Sequence, residues 1–177
     1  MIEQYIQGPT SVFIDASNIY HAQKTLNFRI DFLKLLEYFK KSTDLVSIFF
    51  YTAVIEGHEK QRRFLNFLEM HGFRIRQKAV KSIKDRDTDQ FIYKGNLDVE
   101  LTIDALDSMK DYKNFVLLSG DSDFAELLRY LKFHGKSVLV MSTKSNISKE
   151  LLRQAKYLDL KKFKIIFQYI KQYPRKL

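Results

Sequence analysis

Residues 11–20 read Ser-Val-Phe-Ile-Asp-Ala-Ser-Asn-Ile-Tyr, and this stretch decides the fold that the rest of the chain completes. Its apolar run is strand-sized and ends in Asp15, which predicts a buried strand with a carboxylate at its end. A second apolar run, 115–118, leads through a Ser-Gly-Asp-Ser turn into a helical pattern. Two strands that each feed a helix predict an α/β domain with a mostly parallel sheet.

Strands and helices alternate along the rest of the chain. We predict further strands at 46–54, 73–80, 136–141 and 159–163, and helices at 59–71, 123–134 and 146–155. Ser17 and Asn18 are candidate caps of a short helix that ends near Lys24, and Asp31 caps the next helix.

Two stretches need a choice between alternatives. Residues 81–94 are polar and charged without a period, so we predict a loop there. Residues 96–106 fit both strand and helix spacing. We predict a helix, because a crossover must join the parallel strands on either side of this stretch.

The element order predicts a three-layer, Rossmann-like α/β fold around a mostly parallel central sheet. We expect one domain over 1–177, with its core at about residues 10–160 and a C-terminal helical extension over 161–177. In such sheets ligands bind beyond the carboxyl ends of the strands, so side chains at those ends are the candidates for function.

The composition favours a polyanionic partner. Lys and Arg number 30 against 21 Asp and Glu, a formal net charge of +9, and basic residues gather at 60–63, 74–94 and 161–176. A lysine-rich genome would give the same balance. No apolar run reaches the roughly 20 residues of a membrane span, and the first residues lack a secretory pattern. The absence of cysteine excludes cysteine-ligated metals and fits a cytoplasmic location.

Carboxylates stand at the predicted strand ends. Asp15 ends the first strand, Asp121 and Asp123 follow strand 115–118, and Asp98 lies in the first turn of its helix. If both strands are central and parallel, all four carboxylates meet at one edge of the sheet. Like charges this close repel unless a cation joins them, and a hard divalent cation such as Mg²⁺ suits oxygen ligands.

Each acid also has a plainer interpretation. Asp123 can be a helix cap, Asp121 a turn residue, and Asp98 a residue of the helix surface. Asp104 lies about 120° round the helix from Asp98, so we assign it, with Ser119 of the turn, a supporting or structural role. The functional prediction therefore rests on the acids occurring together.

Three blocks of the sequence resemble the signature blocks of the NYN domain, the LabA-like branch of PIN-like nucleases. They are residues 11–20, Lys-Gly-Asn-Leu-Asp-Val-Glu-Leu-Thr-Ile-Asp-Ala-Leu at 94–106, and Leu-Leu-Ser-Gly-Asp-Ser-Asp-Phe at 117–124. The stretch Phe-His-Gly-Lys-Ser-Val at 133–138 resembles the next helix-to-strand turn of the family. The resemblance covers about residues 10–160 and implies a PIN-type fold and a Mg²⁺- or Mn²⁺-dependent ribonuclease site.

The same resemblance assigns individual residues. Its metal-binding, catalytic positions fall on Asp15, Asp98, Asp121 and Asp123. Asn18 matches the polar residue after the first strand and Lys94 the lysine before the helix, which implies contacts with the substrate; a helix cap and a solvated lysine are the alternatives. The sequence departs from the family at Asn96 and Leu97, where a Gly-Val pair is usual.

The sequence therefore predicts a metal-dependent ribonuclease in which a water molecule attacks a phosphodiester in line. The basic segment 78–94, with Phe91 and Tyr93, is a candidate surface for stacking a strand of RNA. The main rival is a non-catalytic RNA-binding or regulatory module on the same fold. Two other classes are disfavoured. A haloacid-dehalogenase-type phosphatase needs a second Asp at the position of Ser17, and a dinucleotide-binding domain needs a glycine-rich turn, which the residues after the first strand lack. A homodimer is compatible with so small a nuclease.

Overall fold

The structure is a computed structural model that describes residues 2–84 and 91–170, with the backbone alone for 81–84 and 91–94. The strands of the described residues are β1 (Pro9–Asp15), β2 (Asp44–Val54), β3 (Arg74–Ala79), β4 (Lys81–Lys84), β5 (Phe91–Lys94), β6 (Asn114–Leu118), β7 (Ser137–Ser142) and β8 (Lys156–Asp159). Six of them form the central sheet in the order β3-β2-β1-β6-β7-β8, and every neighbouring pair is parallel. The other two, β4 and β5, form a separate antiparallel pair. The predicted α/β class with a parallel sheet is confirmed.

Helices cover both faces of the sheet. They are α1 (Ala16–Leu26), α2 (Phe32–Ser42), α3 (Glu59–Met70), α4 (Asp98–Asp107), α5 (Ala125–Phe133), α6 (Lys149–Gln154) and α7 (Lys164–Phe167), with 3-10 turns at Ile2–Gln4, Met109–Asp111, Ser122–Phe124 and Leu160–Phe163. The apolar side chains of α1, α2, α3 and α7 pack on one face, and those of α4, α5 and α6 pack on the other. The fold therefore has the three predicted layers.

The period-2 geometry of β1 explains why its run of apolar residues is continuous. Val12 and Ile14 point into one core and Phe13 into the other, and all three are fully buried. The Phe13 ring lies 4.6 Å from the ring of Phe115 and 4.9 Å from that of Phe49. Such aromatic pairs add about 0.5–1.5 kcal/mol each beyond their buried area. β1 is thereby fixed between its two neighbours.

The strand order reverses at β1. From this strand the chain builds β2 and β3 on one side and later β6, β7 and β8 on the other. A crevice opens where the chain leaves neighbouring strands toward opposite faces of the sheet, beyond their carboxyl ends. Here α1 follows β1 on one face and α5 follows β6 on the other, so the crevice lies between Asp15 and the turn after β6.

Several predicted boundaries were wrong. Residues 81–94, predicted as a loop, contribute β4 and β5, which pair with each other. The charged residues around them concealed the strand propensity of Ile83, Phe91, Ile92 and Tyr93. The last strand is β8, three residues earlier than predicted, and residues 160–163 form a 3-10 turn instead. The C-terminal helix is short, at Lys164–Phe167, and residues 171–177 lie outside the described part.

Two helix starts were also placed wrongly. The helix predicted at 123–134 begins as a 3-10 turn and becomes α-helical only at Ala125, and that predicted at 146–155 begins at Lys149. The predicted helix at 96–106 is confirmed as α4. Within residues 2–84 and 91–170, no helix combines the length and the apolarity needed to cross a lipid bilayer.

Candidate active site

Asp15 joins the end of β1 to the start of α1. Its carboxylate caps α1, because Oδ1 accepts the N–H of Asn18 at 3.2 Å and the hydroxyl of Ser17 at 2.8 Å. Oδ2 accepts the hydroxyl of Ser119 at 2.9 Å. Asp15 is 8% exposed, and these donors satisfy a carboxylate that would otherwise be costly to bury. The predicted capping by Ser17 and Asn18 was therefore wrong: Asp15 itself is the cap.

Asn18 ties α1 to the turn after β6. Its Oδ1 accepts the N–H of Gly120 at 2.8 Å, and the carbonyl of Gly120 accepts the N–H of Ser148 at 3.0 Å. A Cβ on Gly120 would lie 2.2 Å from the carbonyl oxygen of Asn146, so only glycine fits this close approach of two backbones. The turn is thus held by α1 on one side and by the segment after β7 on the other.

Asp121 and Asp123 occupy this turn. The N–H of Asp121 donates to the Ser119 hydroxyl at 3.2 Å, and Asp121 Oδ1 accepts the N–H of Asp123 at 3.1 Å. Asp121 thus caps the 3-10 turn that precedes α5, while Asp123, inside that turn, is exposed. The capping role that we gave as an alternative for Asp123 belongs to Asp121.

Asp98 is the first residue of α4, so it belongs to a different segment of the chain from Asp121 and Asp123. Asn96 holds it in place: Asn96 Oδ1 accepts the N–H of Asp98 at 3.0 Å, and the Asn96 amide donates to Asp98 Oδ2. This is an Asx turn, in which an asparagine side chain bonds the backbone two residues on. Asn96, one of the two positions at which the sequence departs from the family, thus holds the carboxylate of Asp98 in position.

The fold brings three of the acids into one group. Oxygens of Asp98, Asp121 and Asp123 all lie within 4.8 Å of one another, although these residues come from two separate segments of the chain. Burial raises the pKa of Asp98, and the negative charges of Asp15, Asp121 and Asp123 raise it further, against the opposing hydrogen bond from Asn96. Asp15 is outside the close group but near enough to act on Asp98 electrostatically.

The donor set fits a small divalent cation. Two oxygens on opposite sides of Mg²⁺, with bonds of about 2.1 Å, are roughly 4.2 Å apart, so the 4.8 Å spread of the group needs only a slight contraction. All donors are carboxylate oxygens, the ligands that Mg²⁺ and Mn²⁺ prefer. A bound cation would offset both the burial and the neighbouring negative charges that raise the pKa of Asp98.

Asp104 binds other partners on α4. Its Oδ2 accepts the hydroxyl of Tyr51 at 3.0 Å and the Nε–H of Arg76 at 2.8 Å, and its Oδ1 accepts a second Arg76 N–H at 2.9 Å. Tyr51, in turn, lines a small cavity together with Asp15 and Asp98. Asp104 therefore supports the wall of this cavity through Tyr51 rather than joining the acid group.

Of the two residues predicted to contact the substrate, the structure describes the side chain of Asn18 but not that of Lys94. Among the described residues, the side-chain N–H₂ of Asn18 has no protein partner, which leaves it available to a phosphate or a water. Lys94 ends β5, but its side chain lies outside the described part, as do those of Phe91 and Tyr93. Their assigned roles stay predictions.

Sequence reasoning missed three residues that shape the site. Ser17 bonds Asp15, Asn96 orients Asp98, and Asn146 provides the backbone against which Gly120 packs. The role of Asn96 could have been predicted from the sequence, because an asparagine two residues before the start of a helix is typical of an Asx turn. The contact with Asn146 has none, because it depends on how two loops meet in space.

A parallel sheet with a group of aspartates at its switch point agrees with the PIN-type fold that the resemblance to the NYN domain implies. The chain belongs to the NYN domain family, which matches residues 9–161. It is similar to the low amplitude and bright protein LabA of Synechococcus elongatus, with 30% identity over 154 residues that span 85% of this chain and 82% of LabA. It is also similar to a crystal structure of a Vibrio parahaemolyticus protein of unknown function, with a TM-score of 0.73 and 25% identity over 87% of this chain and 93% of that one. The predicted family is thus confirmed.

Proposed function

We propose that the protein is a Mg²⁺- or Mn²⁺-dependent ribonuclease that hydrolyses phosphodiester bonds at the crevice between β1 and β6. The observation that carries the proposal is the gathering of the Asp98, Asp121 and Asp123 carboxylates within 4.8 Å, beside the buried Asp15. A group of acids that costs electrostatic energy in the bare protein is best explained by a cation. The NYN family membership supports the nuclease class.

The four aspartates have different tasks in this proposal. Asp98 and Asp121, half-buried, hold the cation with Asp15, whose carboxylate is already fixed by Ser17, Ser119 and the start of α1. Fixed ligands lose little entropy on binding and keep the geometry required for catalysis.

The exposed Asp123 either completes the ligand set or orients the attacking water. A bound divalent cation supplies the Lewis acidity that lowers the pKa of that water and offsets charge at the phosphate. The free amide of Asn18 and the ammonium group of Lys94 are proposed to contact the phosphate.

RNA is the proposed substrate, because the resemblance to the family implies it and because the chain carries an excess of nine positive charges. The rival, an RNA-binding module without catalysis, would keep the same surface but need no ordered ligand set. The protein is expected to work in the cytoplasm, and the homodimer stays a prediction that light scattering can check.

The test compares cleavage of labelled single-stranded and hairpin RNA by the wild type, Asp15→Asn and Asp98→Asn, with Mg²⁺, Mn²⁺ or EDTA. Asparagine caps a helix as well as aspartate does, so Asp15→Asn should fold. Wild-type cleavage should require metal and fall at least about 100-fold in either variant. Asp107→Asn, with the same change on an exposed residue of α4, is the control and should cleave normally.

Binding of RNA without metal-dependent turnover by the wild type would support the non-catalytic module instead. Equal cleavage by the wild type and Asp15→Asn would reject the site assignment.

A further inference from the structure

A groove on the α1 side of the sheet is lined by aromatic and basic side chains. We call it the α1 groove; it lies between α1, the start of α2, α3 and the C-terminal segment, and its principal lining residues are Tyr20, Lys24, Arg29, Phe32, Phe64 and Tyr169. Its lining residues, all within the described part of the chain, include no acid. The groove thus differs in chemistry from the acid group, which carries only negative charge.

The aromatic residues of the α1 groove are only partly used by the core. Phe32 and Phe64 pack on Phe50, with ring centroids 5.1 and 6.2 Å away. Tyr20 is 43% exposed and Tyr169 is 52% exposed, so each leaves part of a flat ring open to solvent. Large exposed rings beside cations are typical of surfaces that stack bases and pair with phosphates.

The wall of the groove is held by backbone hydrogen bonds. The N–H of Tyr169 donates to the carbonyl of Arg29 at 2.8 Å, and the N–H of Asp31 donates to the carbonyl of Phe167 at 2.7 Å. The N–H of Ile30 donates to the side chain of Gln23 at 2.7 Å. A surface fixed before binding loses less entropy when a ligand arrives.

One face of α1 connects the groove with the acid group. Ser17 lines the small cavity beside Asp15 and Asp98, whereas Tyr20 and Lys24, three and seven residues further along the helix, line the groove. Residues at these spacings share a helix face. Ser17 and Lys24 are about 10 Å apart along the axis, a distance that a few nucleotides of an unpaired strand can span.

Helix α1 also lies along the edge of the sheet at which the carboxyl ends of the strands meet. The hydroxyl of Ser145, in the segment after β7, donates to Thr25 Oγ1 near the end of α1 at 3.2 Å. Because the residues after a strand lie at its carboxyl end, α1 runs from the end of β1 toward that of β7. The groove and the acid group therefore open at the same edge.

We propose that the α1 groove binds a single-stranded segment of the nucleic acid a few nucleotides to one side of the cleaved bond. Tyr20 and Tyr169 stack bases, and Lys24 and Arg29 pair with phosphates. The proposal rests on the nuclease function proposed above, and it selects unpaired strands as the substrate class. A duplex keeps its bases stacked on one another and offers no free base to the tyrosines.

The test measures the anisotropy of a fluorescent 12-nucleotide oligouridine in EDTA, where no cleavage competes. Tyr20→Ala should raise Kd about fivefold or more, as loss of one base–aromatic stack does. Lys24→Ala should raise Kd and make the salt dependence shallower by about 0.7 in the log–log slope. The controls Tyr130→Ala, at 45% exposure, and Lys110→Ala replace exposed residues outside the groove and should bind as the wild type does.

The outcomes separate this proposal from the nuclease function. If the wild type cleaves RNA but Tyr20→Ala and Lys24→Ala match their controls in Kd and in KM, the groove proposal is wrong and the nuclease stands. If Tyr20-dependent binding occurs without cleavage, the groove proposal holds and the nuclease fails. Equal binding of a 12-base-pair duplex, or Tyr20-dependent binding of polyglutamate with equal affinity, would overturn the single-strand assignment.

Discussion

The Ser119 hydroxyl donates a hydrogen bond of 2.9 Å to Asp15 Oδ2 across 104 positions of the sequence. The bond joins the ends of β1 and β6 at the point where the strand order reverses. The same hydroxyl accepts the N–H of Asp121, so one buried side chain links two of the predicted metal-binding acids. Outer residues of this kind fix the orientation of ligands and contribute to metal affinity.

Removal of this hydroxyl is expected to weaken the site without removing a ligand. Ser119→Ala leaves Asp15 Oδ2 and the N–H of Asp121 without their shared partner. We expect metal affinity, measured by isothermal titration calorimetry, to fall about 10–100-fold. Ser137→Ala, at an exposed position of β7, is the control. Unchanged metal affinity in Ser119→Ala would show that the bond has only a structural role.

Neutralising Asp98 should stabilise the metal-free protein. Because the pKa of Asp98 is raised from 3.8, its ionisation costs folding free energy as pH rises from that value through the folded-state pKa. Above this range Asp98→Asn removes the cost of burying that charge beside the other acids, and we expect a Tm about 2–4 °C above that of the wild type. At lower pH the carboxyl is protonated, and the difference should disappear.

Magnesium should reverse that order. A ligand that binds the folded state raises Tm, so excess Mg²⁺ should stabilise the wild type more than Asp98→Asn. Asp107→Asn makes the same charge change on α4 outside the acid group and should respond to Mg²⁺ as the wild type does. A wild-type Tm that does not respond to Mg²⁺ or Mn²⁺ would contradict the metal site.

A methyl group on Gly120 is expected to displace the turn that carries Asp121 and Asp123. The new Cβ would lie 2.2 Å from the carbonyl oxygen of Asn146, and overpacking of this kind costs about 1–3 kcal/mol. Gly120→Ala should therefore lower both stability in urea and RNA cleavage.

The matched control for that variant is Gly57→Ala. Gly57 has φ of +76° and open space around its Cβ position, so alanine there is strained by backbone conformation alone. We expect about 1 kcal/mol of lost stability with normal cleavage. Comparable loss of cleavage in both variants would mean that activity follows stability rather than the position of the turn.

Asp104 should matter for stability more than for catalysis. Asp104→Ala removes the acceptor of the Tyr51 hydroxyl, and Tyr51 is only 2% exposed. An unsatisfied buried hydroxyl costs about 1–3 kcal/mol, to be measured by urea denaturation. We expect kcat/KM to stay within about threefold, with Asp107→Ala as the exposed control on the same helix. A loss of cleavage comparable with that of Asp98→Asn would place Asp104 in the catalytic group.

Stability at the contact between Tyr51 and Asp104 should fall as pH rises above the ordinary phenol pKa of about 10, which is the same direction as the effect at Asp98 but in a higher pH range. Burial raises the pKa of Tyr51, and the neighbouring charge of Asp104 adds to it, so the phenol stays a neutral donor at physiological pH. Arg76 compensates the charge of Asp104 with two hydrogen bonds. The contact therefore stabilises α4 against β2 and β3 without a cation.

The sequence alone determined the α/β class and the identity of the acids, because strand patterns and strand-end carboxylates are local features. Asp15 follows a short apolar run, and Asp121 follows another, so both could be read from their neighbours along the chain. The charged stretch 81–94 gave no such local pattern, because its two strands form only by pairing with each other.

Only the tertiary structure decided how the acids meet. The sheet order places β1 beside β6, and that pairing brings Asp15 next to Ser119. The packing of α4 then brings Asp98 close to Asp121. The α1 groove likewise depends on contacts between segments far apart in the chain, such as that of Tyr169 with Arg29, whereas Ser17 and Asn96 bond acids only two residues away. The physical reason is that hydrogen bonds and charge repulsion act over a few ångströms of space, and a sequence specifies those distances only through the complete packing of its core.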